Sequence, residues 1–365
     1  MGSLNTPDDD AKLAETVEAI LSLSNQGEET SRVIQQNAPT HFTWDYKRTR
    51  PALADLYRRA VKLQWDGEYQ LQWDTPVDQE KLVTEDLRGN PDGYRGADLE
   101  GTVFARWGEA EWIRAGIELE NWTVSQFLHG EQGALVCAAK LVETVPWIDA
   151  KYYAATQVMD EARHVEIFSR YLNEKLSSAY PINYYLDAVL DSIVQDNRWD
   201  MVYLGMQTMV EGLALASFHL LRAHTKEPLL KALLERVITD EARHVAFGVI
   251  SLKEVYSGLS AAEIRERQIF AYEAVLQLRD RFLQQEAWDR LGVPRKDVAQ
   301  LLAHSPDREI FQQMLMSKVV PQCKRIGLLD AGDGWLREKF DELGVSWLQD
   351  LDDGSEGLGE DQAQT

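Results

Sequence analysis

Asp160-Glu161-Ala162-Arg163-His164 recurs letter for letter as Asp240-Glu241-Ala242-Arg243-His244, and a lone glutamate, Glu131 or Glu211, stands thirty residues before Glu161 or Glu241. Residues three apart on a helix share a face, so each Glu-x-x-His can offer an oxygen and an imidazole nitrogen to one cation. Four carboxylates and two imidazoles form the donor set of a dinuclear metal site. Such hard oxygens with two imidazoles suit iron or manganese better than copper or a thiolate-type zinc site. Two reduced ions of this kind give two electrons to dioxygen, and the oxidised pair can then oxidise an organic molecule.

For six side chains so far apart in sequence to meet, the chain must reverse twice. Glu131 and Glu161 share Pro146 as midpoint, so an antiparallel hairpin turning there sets both carboxylates about 15 residues, roughly 22 Å, from the turn. Glu211 and Glu241 share Lys226, inside the polar, proline-containing stretch Ala223 to Pro228. The flanks point the acids inward. Phe127, Leu128, Ala134 and Leu135 surround Glu131, and Val158, Val165 and Phe168 surround Glu161. Leu204, Ala214, Leu215 and Phe218 surround Glu211, and Val237, Ile238 and Val245 surround Glu241. A buried carboxylate is costly and four together repel, so a cation is the natural means of holding them. One Glu-x-x-His alone is usually a solvated acid beside a histidine. The repetition, the equal offsets and the apolar flanks set this pair apart.

Helical periodicity dominates the elements around these residues. Runs of apolar residues at three and four spacing cover 122–145, 147–176, 199–223, 227–256 and 260–291, the last opening on a capping box, Ser260-Ala261-Ala262-Glu263. Shorter helices are expected over 295–304, 307–329 and 334–348. No Gly/Ser- or Pro-rich linker divides the chain, so residues 41–348 read as one all-α domain with a ligand-bearing core at 105–256. Residues 1–40 read as a flexible segment with one short helix at 11–23, and 349–365 as a loose acidic tail.

The motif set resembles the ferritin-like carboxylate di-iron superfamily over roughly residues 105–256. Its Asp-Glu-x-Arg-His form is similar to the hydroxylase components of bacterial multicomponent monooxygenases, with weaker likeness to acyl-carrier desaturases and the small subunit of ribonucleotide reductase. The resemblance implies a four-helix bundle with added helices and a cofactor of two iron ions, a manganese–iron pair being the alternative. With dioxygen as co-substrate, the activity it implies is an oxygenase, hydroxylase or related oxidase. It casts Asp160 and Asp240 as acceptors that orient the ligand histidines, and Arg163 and Arg243 as their supports. It also implies an external electron donor, a ferredoxin or flavin reductase, since no flavin, nicotinamide or iron–sulfur motif is present, and a homodimer.

Three departures narrow the reading. Phe168 stands where the reductase subunit carries its radical tyrosine. Val237 stands where aromatic N-oxygenases of the superfamily add a third histidine. Leu215 stands where many hydroxylases place a threonine, with Thr208 a candidate substitute. Two other functions fit the donor set: a ferroxidase, metal store or peroxide scavenger, and a slow manganese–iron ligand-binding oxidase. Length disfavours storage, because a minimal bundle needs far fewer than 365 residues.

Glycine is costly inside a helix, so Gly130, Gly133, Gly212 and Gly248 beside the ligands imply close helix contact or a cavity. The sequence favours a cavity lined by Phe127, Leu135, Phe168, Leu204, Thr208, Leu215 and Phe218, and hence a small apolar or aromatic substrate. Gln64-Trp65-Asp66 and Gln72-Trp73-Asp74 read as packing anchors, although tryptophans carry electrons in certain relatives. A net charge of −22 argues against nucleic acid or an anionic membrane as partner. No spanning or signal segment is evident, and the two cysteines, Cys137 and Cys323, cannot form a disulfide framework, so a reducing cytoplasm is expected.

Overall fold

The computed structural model describes residues 7–23, 31–89, 99–303 and 306–355, and among these the regular elements are all helical. In chain order they are α1 (Pro7–Leu21), α2 (Pro51–Lys62), α3 (Gln79–Gly89), α4 (Glu109–Thr144), α5 (Ile148–Lys175), α6 (Tyr184–Gln195) and α7 (residues 199–224). They continue as α8 (Pro228–Tyr256), α9 (Ala261–Asp280), α10 (Gln285–Arg290), α11 (Arg295–Ala303), α12 (Pro306–Leu315), α13 (Val319–Arg325) and α14 (Trp335–Glu342). No helix among the described residues is long and apolar enough to cross a membrane.

Both predicted reversals are present. Pro146 lies in the short connection between α4 and α5, and Lys226 in that between α7 and α8. At the second, Glu227 caps α8 by accepting from the Leu229 amide at 2.7 Å, with Pro228 in the first turn, where a missing N–H is harmless. The ligand cluster sits between two apolar layers. One contains Phe127, Phe168, Phe218 and Leu229 to Val237. The other contains Leu141, Tyr153, Tyr203, Met209 and Phe247.

Several helices depart from the sequence expectation: α2 and α3 were not expected, the run over 307–329 is divided into α12 and α13, and α4, α6 and α9 differ as follows. α4 begins at Glu109 rather than near Trp122, because Trp112 and Ala115 on its acidic first turns pack with Phe104 and Trp288. α6 was not expected at all, yet Val189, Leu190 and Ile193 join the core. The single run expected over 260–291 is broken. After α9 a tight turn, Arg281–Leu283, leads to Gln284 in the left-handed region at φ 54°, the lone non-glycine of positive φ among the described residues. The Gln284 amide donates to Thr123 Oγ1 at 3.2 Å and fixes this break against α4.

The chain ends are more ordered than their composition suggested. Val17 and Leu21 of α1 pack against Leu283, Val298 and Leu301. Arg32 pairs with Asp187 and Asp191 on α6, each at 2.9 Å. At the other end Asp353 and Ser355 are buried, and Arg325 donates to both. An apolar stripe and an ion pair on the buried Asp353 outweigh the polar composition here. The polar stretch 24–30 and the tail from 356 onward lie outside the described residues.

Candidate metal centre

Glu131 projects from α4, Glu161 and His164 from α5, Glu211 from α7, and Glu241 and His244 from α8. None is more than 4% exposed. His164 Nδ1 lies 3.2 Å from Glu131 Oε2, 3.3 Å from Glu161 Oε2 and 3.1 Å from Glu241 Oε1. His244 Nδ1 lies 3.1 Å from Glu161 Oε1 and 3.1 Å from Glu241 Oε2. Glu161 and Glu241 each therefore turn one oxygen to either histidine. Glu131 stands on the His164 side, and Glu211 joins Glu161 and His244, the atoms of each group lying within 4.8 Å of one another. Helical spacing alone assigned each Glu-x-x-His to one cation. In three dimensions both motif glutamates face both histidines.

The local fold aims Glu211 in a way its spacing does not announce. Residues Leu204–Val210 form a π-helical segment inside α7, and the Glu211 amide reaches back five residues to the Met206 carbonyl. Such segments are rare and favour functional sites, because they rotate the following side chains relative to a regular helix. The segment also carries Gln207, whose Oε1 accepts from Gln157 Nε2 at 3.2 Å, while the same Gln157 amide donates to Glu161 Oε1 at 2.8 Å and Glu211 Oε1 at 3.3 Å.

The outer residues cross between motifs. His164 Nε2 meets Asp240 Oδ2 at 3.2 Å, and His244 Nε2 meets Asp160 Oδ2 at 3.4 Å, so each aspartate holds the histidine of the other repeat. Arg163 donates to Asp160 and, at 3.1 Å, to Asp240, while Arg243 donates to Asp240 and, at 3.4 Å, to Asp160. Trp65 and Gln64 complete this layer. The Trp65 indole N–H donates to Asp240 Oδ2 at 2.7 Å, and the Gln64 amide donates to Asp160 Oδ1 at 2.8 Å. Packing alone does not describe Trp65, then. Asp66 caps the next turn by accepting from the Glu68 amide at 2.9 Å, and Gly67 lets this segment press onto α5, where an added Cβ would sit 2.6 Å from Ile167. Trp73 matches the packing expectation more closely, lying beneath Arg170 with 4.2 Å from guanidinium carbon to ring.

The donor set fits a pair of cations. Glu161 Oε2 and Glu241 Oε1 are buried without a hydrogen-bond donor, a costly arrangement that coordination would relieve. Burial raises Glu131 to about 8, and burial together with Glu241 and Glu161 raises Glu211 well above the carboxylate range. Burial opposes charge on His244, yet Glu161 and Glu241 outweigh it and raise the ring to about 10; Glu131 and Asp240 likewise raise His164. In the metal-free protein, protons stand where cation charge would. Loading with ferrous ion at pH 7 should release about four protons per pair of ions, two from the imidazoles and one each from Glu131 and Glu211. Affinity should fall as pH falls. A pH-stat titration checks this, and metal uptake without proton release contradicts it.

Of the residues expected to line a cavity, Phe127 and Phe218 do so, with Gln126, Gly130, Glu131, Ala134, Val210, Glu211, Ala214 and Arg281. Phe168 lies outside the lining and stacks on Phe218 at 5.8 Å between ring centres. Leu204 and Thr208 are buried within the π segment, Leu215 is held by the C-terminal Gly354, and Leu135 is half-buried outside the cavity. Leu204 and Thr208 belong to the π segment and Leu215 packs against Gly354, and neither feature could be read from spacing. Thr208 Oγ1 has no hydrogen-bond partner. Val237 is packed among leucines. Cavity volume is about 20 Å³, against the roughly 10–15 Å³ that one water needs.

The glycines divide between the two roles expected of them. A Cβ on Gly248 would sit 2.5 Å from Gln207 Cβ, and one on Gly133 2.5 Å from Leu190, whereas Gly130 has open space. Gly248→Ala should therefore lower stability by about 1–3 kcal/mol and displace Gln207, while Gly130→Ala, which gains helix propensity, should leave the melting midpoint unchanged or higher. Equal losses in thermal denaturation would contradict this assignment. His129 bonds the Tyr180 carbonyl at 2.9 Å, outside the cluster, and Cys137 and Cys323 are buried free thiols, each pushed by burial up to about 12.

An all-helical bundle with this carboxylate–histidine core defines a non-haem di-iron oxygenase or oxidase of the ferritin-like superfamily. The chain belongs to the p-aminobenzoate N-oxygenase AurF family, whose family model matches residues 47–327. The N-oxygenase family is thus its place within the superfamily, although Val237 occupies the third-histidine position. Solved structures similar to the chain include R2-like ligand-binding oxidase variants with a Mn/Fe cofactor. An aerobically reconstituted one is 15% identical with a TM-score of 0.47, covering 78% of this chain and 95% of its own. An anaerobically reconstituted one is 18% identical with a TM-score of 0.44, covering 78% and 96%. No curated protein sequence matches the chain.

Proposed function

We propose that Glu131, Glu161, His164, Glu211, Glu241 and His244 hold two iron ions, a manganese–iron pair being the alternative, and that the protein oxygenates a small aromatic or apolar compound. The observation that carries this reading is the orientation of Glu161 and Glu241, each with one oxygen toward either histidine. The ions would supply the two-electron reduction of dioxygen that the side chains cannot. The overall balance takes two electrons from the substrate and two from an external donor, puts one oxygen atom into the substrate and releases the other as water. A ferredoxin or flavin reductase is the proposed donor, and a cytoplasmic homodimer the proposed setting.

The chain's own residues have definite tasks. Asp240 and Asp160 fix the rings of His164 and His244 with Nδ1 toward the carboxylates. Phe127, Phe168 and Phe218, with ring centres 4.7 to 6.0 Å apart, keep water from one side of the site. Gly130 leaves room beside Glu131 for the reacting group. The name of the family makes an aryl amine nitrogen the first acceptor to test.

A cavity walled by Phe127 and Phe218 beside Glu131 and Glu211 favours an organic substrate over iron storage. The test loads the protein anaerobically with ferrous iron, adds labelled dioxygen, a chemical reductant and a panel of aromatic amines and hydrocarbons, and follows label in the product by mass spectrometry. Stoichiometric incorporation is expected. Iron oxidation with ferric mineral accumulating and no labelled product would contradict the reading.

A further inference from the structure

The outer face of the α4–α5 hairpin is bare of charge. Between Leu128 and Val142 the charged residues of α4, Glu131 and Lys140, are buried, and between Tyr152 and Val165 those of α5, Asp160, Glu161 and Arg163, are buried too. Burial also lowers the pKa of the half-buried His129 and keeps its ring neutral. Every residue of these stretches that reaches solvent is therefore uncharged, in a chain that is 27% charged and carries −22 overall. Val136, Ala139, Ala155, Met159 and Ala162 are exposed, and Leu135, Val158 and Val165 beside them are half-buried yet stand outside the apolar layers of the core. The flanks are covered, by α2 where Gln64 bonds Asp160 and by α6 where Leu190 meets Gly133. Residues 31–50, without regular structure, cross the turn end of the face: the His41 amide donates to the Glu143 carbonyl at 3.0 Å, and Thr43 Oγ1 to that of Pro146 at 2.6 Å. This strap turns Phe42 and Trp44, stacked at 5.7 Å between ring centres, out to solvent, 75% and 76% exposed.

We infer that this face and the strap across its end are the surface on which a second copy of the chain docks, the two hairpins being related by a two-fold axis. The inference deepens the proposed homodimer and does not depend on the metal chemistry. Charge selects the occupant. Two chains of −22 repel wherever their acidic surfaces meet, so they can approach closely where neither carries charge, whereas a basic protein would be drawn to the acidic surface elsewhere. Composition agrees, because interface cores are depleted of charge and enriched in methionine and aromatic residues, as Met159, Phe42 and Trp44 are here. The small side chains of Ala139, Ala155 and Ala162 let two such hairpins pack closely. Area requires the strap as well. From Leu128 to Val142 the face is about 21 Å long, and two helices abreast make it roughly 20 Å wide, or about 400 Å² in plan. A stable interface covers roughly 800 Å² of each partner, so the exposed aromatics of the strap must supply much of the remainder. An antiparallel hairpin meets its own copy through one self-complementary patch, which closes at two chains.

The test is sedimentation velocity on the full chain, metal-free and iron-loaded, over a micromolar concentration series in low and high sodium chloride. The wild type should sediment as a dimer that tightens as salt rises, because screening weakens the repulsion between like-charged chains. Ala155→Glu and Met159→Glu, which bring charge to the face from both copies, should each weaken association by at least about 100-fold. The double change Phe42→Ser and Trp44→Ser should weaken it by at least about tenfold. Trp347→Glu, at a residue 59% exposed beyond α14, should leave it unchanged. Circular dichroism verifies that each variant is folded, and a second measurement needs no variant at all. In the wild-type dimer, peroxide should oxidise Met159 at least about tenfold more slowly than Met314, although Met159 is 61% exposed in the single chain and Met314 43%. A monomeric wild type, a dimer loosened by salt, a dimer untouched by both glutamates or equally weakened by Trp347→Glu, or a Met159 oxidised faster than Met314 would each overturn the inference. Iron content and labelled product judge the oxygenase reading separately, and the metal-free protein decides the interface even where that reading fails.

Discussion

Replacing Glu161 by Ala should take bound metal from two ions per chain to fewer than one and turnover down by more than about 100-fold. The reasoning is comparative. Removing an outer partner of a ligand typically costs roughly 10–100-fold in affinity or activity. Glu161 faces both histidines, 3.3 Å from His164 Nδ1 and 3.1 Å from His244 Nδ1, so its loss strips an oxygen from each half of the site. Glu241→Ala should do the same, since its oxygens lie 3.1 Å from each ring. Glu131→Ala, lying on the His164 side alone, should spare one ion. Metal analysis on refolded and dialysed protein, with circular dichroism to verify the helices, distinguishes these outcomes. Two ions retained in Glu161→Ala would refute the shared role.

Asp240→Asn should damage the half of the site belonging to the other repeat. Asp240 lies on α8, three residues before Arg243 and four before His244, yet its carboxylate meets His164 on α5. It also accepts from Trp65 and from both arginines. The amide would lose charge opposite two buried guanidiniums and turn N–H groups toward donors. The expected costs are about 3–5 kcal/mol in stability and roughly 10–100-fold in metal affinity, with the ion beside His164 and Glu131 lost first. Asp160→Asn should mirror this at His244. Although burial raises the pKa of Asp240, His164 and Arg243 overcome it and hold the group below its ordinary 3.8. Its contribution to stability is therefore complete above about pH 4 and disappears only in stronger acid. Loss of the His244-side ion first, read from site-selective metal spectroscopy, would contradict the crossed arrangement.

The legible part of this fold was the part written in charged letters. The Asp-Glu-Ala-Arg-His repeat, Pro146 and Lys226 located two hairpins, because helical rise and turn chemistry convert spacing into height along a bundle. The crossing of Asp160 and Asp240 was hidden, since the repeat looks the same whether each aspartate serves its own histidine or the other. The π segment before Glu211 carries no residue signature, and Leu204 and Thr208, both expected in the cavity wall, belong to it. Arg281 lay inside a run that reads as uninterrupted helix; nothing in its neighbours announces the break at Gln284. Trp65 was visible as an aromatic but not as a donor, because the acceptor lies 175 residues away.

Anomalous diffraction at the iron edge from protein loaded anaerobically with ferrous ion tests the central claim most directly. Two peaks are expected inside the bundle, both touching Glu161 and Glu241, one shared with Glu131 and His164 and the other with Glu211 and His244. A map with no peak there, or with a single ion bound by surface acids, would contradict it.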